Sequence, residues 1–203
     1  MCSVLRLKGG IELSAGGKTP KLSSENGEYR FQDVTVRLRE GGDCIECYVR
    51  AENTPVSLIK LFLERSFSSQ AKVLGDAWER GYGDLVWRSA AEDSRMPWYF
   101  HAAEGGRVFS YGVKVLPSAM CLWELKGGEL SLTLDVSNGS EGVILNGREL
   151  LAASIVADES SLEPFAACRA FCAKMCDCGI FPQTPVYGGN NWYYAYGKSS
   201  QEE

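Results

Sequence analysis

The sequence contains a single histidine, and it has no long apolar run. A helix that crosses a bilayer needs about 18 or more consecutive apolar residues, so we expect no membrane partner. The first ten residues alternate polar and apolar types and lack the apolar core of a signal peptide. We therefore expect a cytoplasmic protein, unless a leader has been trimmed.

Several catalytic motifs are also missing. There is no G-x-S-x-G, no phosphate-binding loop and no G-x-G-x-x-G placed after a strand. The lone His101 lies in a predicted strand without a serine or cysteine partner at motif spacing, so we interpret it as structural. The net charge is −5 and the basic residues are dispersed, which disfavours a nucleic-acid partner. We expect no cofactor.

The eight cysteines have two spacings that could suggest a metal. Cys44 and Cys47 form a C-x-x-C in a predicted strand, where odd spacing puts the two sulfurs on opposite faces. Cys168, Cys172 and Cys176 recur every four residues along a predicted helix, but no second ligand cluster matches them. We predict structural thiols in a reducing compartment and no metal site.

What the chain has in abundance is glycine and tryptophan, with 22 and 5 residues among 203. Up to Ser160 the apolar residues follow period two, interrupted by turn residues, which is typical of strands. About a dozen short strands without an intervening helix favour a large antiparallel β-sandwich. The predicted strands cover residues 4–7, 11–14, 28–39, 44–52, 56–64, 84–88, 98–102, 108–116, 119–125, 130–136, 142–145 and 150–157.

Specific turn residues predict how these strands connect. We expect a first hairpin across Gly9-Gly10 and a slip in the strand pattern near Gln32-Asp33. Residues 56–64 hold six apolar residues among nine, and we interpret them as a strand buried on both faces. Residues 98–136 predict a meander with one of its turns at Pro117-Ser118, and Asn146-Gly147 predicts a later turn.

A helical period begins after Ser160. Ser161 can cap a helix that has Pro164 in its first turn, and Gly179 can close it. The expected apolar stripe consists of Phe165, Cys168, Cys172, Met175 and Cys176. Residues 186–188 then predict a further strand with a loop at its carboxyl end. We expect three parts: a β-sandwich (residues 1–160), a linker helix with its connection (161–184) and the start of an α/β domain (185–203).

The stretch at residues 185–197 is the most informative for function. It holds five aromatic residues and two asparagines between glycines. Aromatic faces bury the apolar side of a pyranose, and asparagine amides can hydrogen-bond with its hydroxyl groups. This composition indicates a sugar-binding segment.

A second polar and aromatic stretch, residues 74–84, lies between strands. Trp78 either stacks on a sugar or packs the loop onto the sandwich. Its carboxylates could form the acid and nucleophile of a glycosidase, as Asp76 with Glu79 or Glu79 with Asp84. Carboxylates at such spacing in a loop more often form turns and ion pairs, and we favour that reading.

Three stretches together resemble the N-terminal portion of melibiase-like proteins, the α-galactosidases of glycoside hydrolase family 36 and their relatives. They are GDAWER at residues 75–80, MPWYF at 96–100 with YGVK at 111–114, and PVYGGNNWYYAYG at 185–197. The resemblance covers nearly the whole chain. It implies a β-sandwich, a linker helix and the first strand of a (β/α)8 barrel that is otherwise absent, since a barrel needs about 250 residues.

The resemblance also implies a site. Trp192 and Tyr193 match aromatic residues that contact galactose at the end of the first barrel strand, with Asn191 beside them as a polar contact. Trp78 is matched to a sandwich-loop tryptophan that reaches the same pocket, and Asp76 stands close to it in the loop. Both catalytic aspartates of the family lie on later barrel strands, so no catalytic residue is expected in this chain.

The expected partner is an α-galactoside or a related glycan, and the protein could form a homo-oligomer. Two alternatives stay open. One is a non-catalytic glycan-binding or interaction module; the other is transglycosylation instead of hydrolysis, as in raffinose-synthase-like relatives.

Overall fold

A computed structural model describes residues 5–76, 86–137, 139, 141–176, 184–189, 195–198 and 200. The described chain is mainly β, with two large antiparallel sheets and one α-helix. In chain order the elements are β1 (Leu7–Ala15), β2 (Lys21–Ser23), β3 (Glu28–Phe31), β4 (Val34–Gly41), β5 (Cys44–Arg50), β6 (Val56–Ser66), β7 (Lys72–Gly75), β8 (Arg88–Ser89), β9 (Ser94–Pro97), β10 (Tyr99–Glu104), β11 (Arg107–Val113), β12 (Met120–Lys126), β13 (Glu129–Asp135), β14 (Glu149–Ser160) and α1 (Pro164–Met175).

The two sheets form a sandwich around one apolar core. The six-stranded sheet has the order β2-β1-β6-β13-β12-β9, and the eight-stranded sheet has the order β3-β4-β5-β14-β11-β10-β7-β8. Buried side chains from both sheets belong to a single cluster. Period-two alternation places these side chains on the facing surfaces, so the predicted antiparallel sandwich is confirmed.

Strand β6 shows how the core is shared. Ile59, Leu61 and Leu63 are fully buried, whereas Leu58, Lys60 and Phe62 on the other face are only partly buried. The prediction that this strand is buried on both faces is therefore wrong. The outer face keeps apolar residues, but no further layer covers them completely.

Two of the predicted turns differ from the structure. The hairpin at Gly9-Gly10 is wrong, because β1 runs through both glycines and the pairing with β6 shifts there, from Leu7 with Leu63 to Ile11 with Leu61. The slip near Gln32-Asp33 is instead a two-residue turn between β3 and β4, with Gln32 at φ +54°. Apolar residues alternate with polar ones on both sides of each stretch. The alternation therefore did not show where one strand ends and the next begins.

The predicted meander is also wrong. β10 pairs with β11 in the eight-stranded sheet, but β12 and β13 pair in the six-stranded sheet. The Pro117-Ser118 segment therefore carries the chain from one sheet to the other. The Asn146-Gly147 turn is confirmed, with φ of +51° and +75°, but residues 142–145 form only one bridge, between Val143 and Val56.

Helix α1 begins with Pro164 at its first position, as predicted, but Glu163 caps it instead of Ser161. The Glu163 carboxylate accepts a hydrogen bond of 2.7 Å from the Ala166 N–H. The predicted stripe is right at Met175, which is buried, but the other buried positions are Ala167 and Phe171, whereas Phe165 and Cys172 are exposed. The helical period alone could not identify the buried face of α1, because apolar residues occur on every face of this helix.

Helix α1 covers the outer face of the eight-stranded sheet. Phe171 and Met175 pack with Val156, and Cys44 and Tyr99 lie at the edge of this cluster. Cys47 belongs to the core between the sheets, so the predicted opposite orientation of Cys44 and Cys47 is confirmed.

Beyond the helix, residues 185–189 are exposed and form no strand. A barrel strand obtains its hydrogen bonds from neighbouring strands, so the first barrel strand stays a prediction. Within the described ranges, no helix is both long and apolar enough to cross a membrane.

Candidate functional site

Of the five site residues predicted from sequence, only Asp76 lies in the described part of the chain. It is partly buried and directly follows β7. Trp78, Asn191, Trp192 and Tyr193 lie outside the described residues, as do Glu79 and Asp84 of the carboxylate pairs. The site must therefore be located from the residues that flank these segments.

The segment that contains Trp78 leaves the sandwich at a defined end. β7 pairs with β8, Val73 with Arg88. The described residues on either side of the segment therefore lie near the end of β7. There Gly75 pairs with Phe100, close to the start of β10. Asp76 follows at this edge. We call this edge the Trp98 end of the sandwich, because Trp98 is the residue that immediately precedes β10.

Trp98 is the one residue between a strand of the first sheet and a strand of the second. It follows Pro97 at the end of β9 in the six-stranded sheet and precedes Tyr99 at the start of β10 in the eight-stranded sheet. Its φ of +66° turns the chain through this corner. The sequence prediction had placed Trp98 inside a strand, and the structure corrects this.

Hydrogen bonds hold Trp98 from three directions. Its N–H donates to the Cys121 carbonyl at 2.9 Å, and its indole Nε1–H donates to the Val113 carbonyl at 3.0 Å. Its own carbonyl accepts from Trp123 Nε1–H at 3.0 Å. Trp98 is thus fixed to β11 and β12 as well as to the strands on either side of it.

The helix ends at the same place. The Val115 N–H donates to the Met175 carbonyl at 3.0 Å, two residues beyond the Val113 carbonyl that holds Trp98. The last residue of α1 therefore lies at the Trp98 end. Of the three stretches of the family resemblance, MPWYF with YGVK and the first two residues of GDAWER lie there.

A column of buried aromatic rings supports this end from inside. Phe100 stacks on Tyr111 with ring centroids 5.1 Å apart, and Trp123 contacts both rings at 5.6 and 5.7 Å. Phe67 contacts Phe100 and Tyr111 from further inside the core. Such close-packed rings leave the backbone at Trp98 little freedom to rearrange.

Neither His101 nor the buried thiols suit nucleophilic catalysis. His101 is buried beneath α1 with its Nδ1 2.8 Å from Ser110 Oγ, and burial lowers its pKa to about 4. Burial raises the pKa of Cys47 and Cys121 to about 12, so both remain protonated at neutral pH. In the described ranges, no group of three or more histidine, cysteine, aspartate or glutamate residues could hold a metal ion.

Among the residues that the structure describes, four carboxyl groups have displaced pKa values, all in the same direction. Hydrogen bonds from Arg37, Ser68 and Lys8 lower the pKa of Glu28, Glu104 and Glu129, respectively. Backbone and hydroxyl donors of residues 53 and 54 lower the pKa of Asp33. A general acid at neutral pH needs a raised pKa, so none of these four groups is suited to that role.

Two clefts are lined wholly by described residues, and both lie away from Asp76 and Trp98. One, of about 470 Å³, lies between the Gly105-Gly106 turn and the start of α1. The other, of about 420 Å³, lies between Leu5–Leu7 and the residues of β4, β5 and β6 that face them. Neither contains a residue of the predicted sugar site.

No protein-family model matches the chain, and no curated protein matches it. The proposed relation to the α-galactosidases rests on the three sequence stretches. What the structure adds is a mainly β architecture of two antiparallel sheets.

Proposed function

We propose that this chain is the N-terminal, non-catalytic part of an α-galactosidase-like retaining glycoside hydrolase acting on α-linked galactosides. In this proposal the sandwich shapes and dries one wall of a sugar pocket. The two catalytic aspartates belong to barrel strands that are not among these 203 residues.

The observation that supports the proposal is that Asp76 and the end of α1 both lie at the Trp98 end. Asp76 begins one segment, and the hydrogen bond between the Val115 N–H and the Met175 carbonyl holds the last residue of the helix that precedes the other. Residues far apart in sequence form one binding pocket only when the fold brings them to the same place. In this proposal the sandwich does so for the two segments whose composition favours sugar binding.

The chemistry assigned to the complete enzyme follows from the retaining mechanism. One aspartate would attack the anomeric carbon, while a second would protonate the leaving oxygen and then activate water. The role of Trp192, Tyr193 and Trp78 would be to stack on the sugar, with Asn191 and Asp76 supplying polar contacts. Stacking residues and polar contacts of this kind orient a substrate without taking part in bond cleavage.

The proposal is tested by comparing two polypeptides. The 203-residue chain and the complete product of its reading frame are assayed with p-nitrophenyl α-galactoside, with the β-galactoside and the α-glucoside as controls. We expect hydrolysis of the α-galactoside only by the longer product, with retention at the anomeric carbon followed by proton NMR. Release of nitrophenol by the 203 residues alone would contradict the assignment of both aspartates elsewhere.

The main alternative, a glycan-binding module, gives a different result. A reading frame that stops soon after Glu203, together with tight galactoside binding by the chain, would favour the module over the enzyme. Transglycosylation instead of hydrolysis would appear as a longer saccharide product when the complete protein receives an acceptor sugar.

A further inference from the structure

Trp98 adopts a backbone conformation that disfavours its side chain. Its φ of +66° lies in the left-handed region, which glycine and asparagine enter most readily. A corner between two sheets requires such a conformation, but it does not require an indole. A residue that its surroundings hold in an unfavourable backbone conformation often has a functional role. We therefore considered what the Trp98 side chain does.

The indole is held in one orientation. Its Nε1–H donates to the Val113 carbonyl, and the Trp98 carbonyl accepts from the buried indole of Trp123. Because the nitrogen is bonded within the protein, the exposed part of the ring offers carbon surface. Trp98 is 41% exposed, so part of this surface is accessible at the end where β7 leads into Asp76.

The geometry points to Trp98 as a fixed stacking surface for the apolar face of a pyranose, within the pocket of the proposed function on which this inference rests. A rigid aromatic ring binds a sugar face without losing side-chain freedom on association. Hydrogen bonding to the sugar is left to neighbouring polar groups such as Asp76, since the Trp98 nitrogen is already bonded.

The other use of such a ring is contact with protein. Leu116 and Met120 are also exposed, in and beside the segment that connects β11 with β12. A protein interface would draw on these side chains together with Trp98, whereas a sugar would engage the ring and the polar groups beside it. The two uses therefore differ in what removal of Trp98 changes.

The inference is tested by proton–nitrogen NMR of the indole groups in the 203-residue chain. The Trp98 signal is identified by its loss in Trp98→Phe, and methyl α-galactoside is titrated to about 100 mM, high enough to register a weak contact. We expect a saturable shift of the Trp98 signal. The variants at position 98 lack this signal, so their binding is measured from the backbone amide signals of the neighbouring residues. Trp98→Asn, which tolerates the corner, should weaken binding roughly tenfold, and Trp98→Phe should weaken it less.

Trp87→Ala is the matched control, because Trp87 is 38% exposed but does not form the corner. Binding by this variant should equal that of the wild type, and thermal melting should show that each variant is folded. A Trp98 signal that does not shift when the sugar is added, or that shifts with protein concentration instead, would overturn the inference. An equal response to methyl α-glucoside would support the stacking surface while counting against galactose as the substrate.

Activity separates this inference from the proposed function. In the complete protein, Trp98→Asn should raise KM for the α-galactoside more than it lowers kcat, since stacking contributes to binding and not to bond cleavage. An active α-galactosidase whose KM is unchanged by Trp98→Asn would retain the proposed function and remove the role of Trp98.

Discussion

His101 Nδ1 and Ser110 Oγ lie 2.8 Å apart on paired positions of β10 and β11, directly beneath the helix. The ring of Phe171 meets the imidazole edge-on at a centroid distance of 5.7 Å. Tyr99 contacts the imidazole from the same strand, at 5.6 Å. The single histidine is thus part of the surface on which α1 is seated.

This burial makes stability depend on pH. The pKa of His101 is about 4 in the fold, against an ordinary value of about 6.5, so the unfolded chain binds the extra proton more readily. The contribution of His101 to the free energy of unfolding is fully present above pH 6.5 and falls as the pH drops from 6.5 towards 4. The loss attributable to this group should approach about 3 kcal/mol.

The measurement is urea unfolding at several pH values for the wild type and for His101→Gln, which does not titrate. We expect the variant to be less stable at pH 7.5 and the difference between the two proteins to shrink as the pH falls. Since carboxylates titrate in both proteins, subtraction removes their contribution. A constant difference from pH 7.5 to 4 would show that His101 is not the sensitive group.

Gly112 sets how closely the helix approaches the sheet. A Cβ at this position would lie 2.6 Å from Met175 Sδ and 3.0 Å from Phe171 Cε1. Gly112→Ala should therefore destabilise the protein by about 1–3 kcal/mol, because the helix must move outward or repack. Urea unfolding gives the free energy.

Two further variants make the cause specific. Gly9→Ala serves as the control, because a Cβ there meets nothing within 4 Å. Met175→Ala added to Gly112→Ala removes the sulfur that is nearest to the new methyl group. If this double variant is not more stable than the sum of the two single changes predicts, the clash is not the origin of the loss.

The sandwich could be predicted from sequence because its evidence is local. Period-two alternation and turn residues such as Asn146-Gly147 report on a few neighbouring positions, and the structure confirms what they indicate. The partition of strands between sheets depends instead on contacts far along the chain. Residues 98–136 read as a meander because nothing local shows that Pro117-Ser118 leads from one sheet to the other.

The candidate site was harder to predict for the same reason. The aromatic composition of residues 185–197 and of the loop after Asp76 was evident, but not that Asp76 and the end of α1 lie at one end of the fold. Trp98 was missed because a residue between two apolar stretches looks like part of a strand. Pro97 before it was the available signal, since proline is disfavoured inside a paired strand.

Asp33 organises a loop that the sequence did not single out. Its Oδ2 accepts hydrogen bonds from the N–H groups of Glu52, Asn53 and Thr54, and its Oδ1 accepts from the Thr54 hydroxyl. These donors hold the pKa of the carboxyl well below its usual range. The stabilisation is present above the ordinary carboxyl pKa of about 3.9 and declines as the pH falls below it.

Asp33→Asn should lower the melting temperature at pH 7, because an amide has one acceptor oxygen where the carboxylate has two. The loss should diminish towards pH 2, because the carboxyl group of the unfolded wild-type chain is protonated first and the stabilisation declines. Asp43→Asn is the control, since Asp43 forms one ion pair of 3.3 Å, with Lys114, and is half exposed. An equal loss from both variants would refute a special role for Asp33.

Trp123 is fully buried, and its indole N–H donates to the Trp98 carbonyl. Trp123→Phe keeps most of the ring but leaves that carbonyl without this donor, which should cost about 1–3 kcal/mol in the free energy of unfolding. The same change should shift the Trp98 indole NMR signal, because the corner relaxes when one of its three hydrogen bonds is lost. Trp87→Phe, at an exposed position, should change stability by no more than about 0.5 kcal/mol. Normal stability in Trp123→Phe, with an unmoved Trp98 signal, would mean that the other two hydrogen bonds suffice to hold the corner, and the buried aromatic column would lose its supporting role.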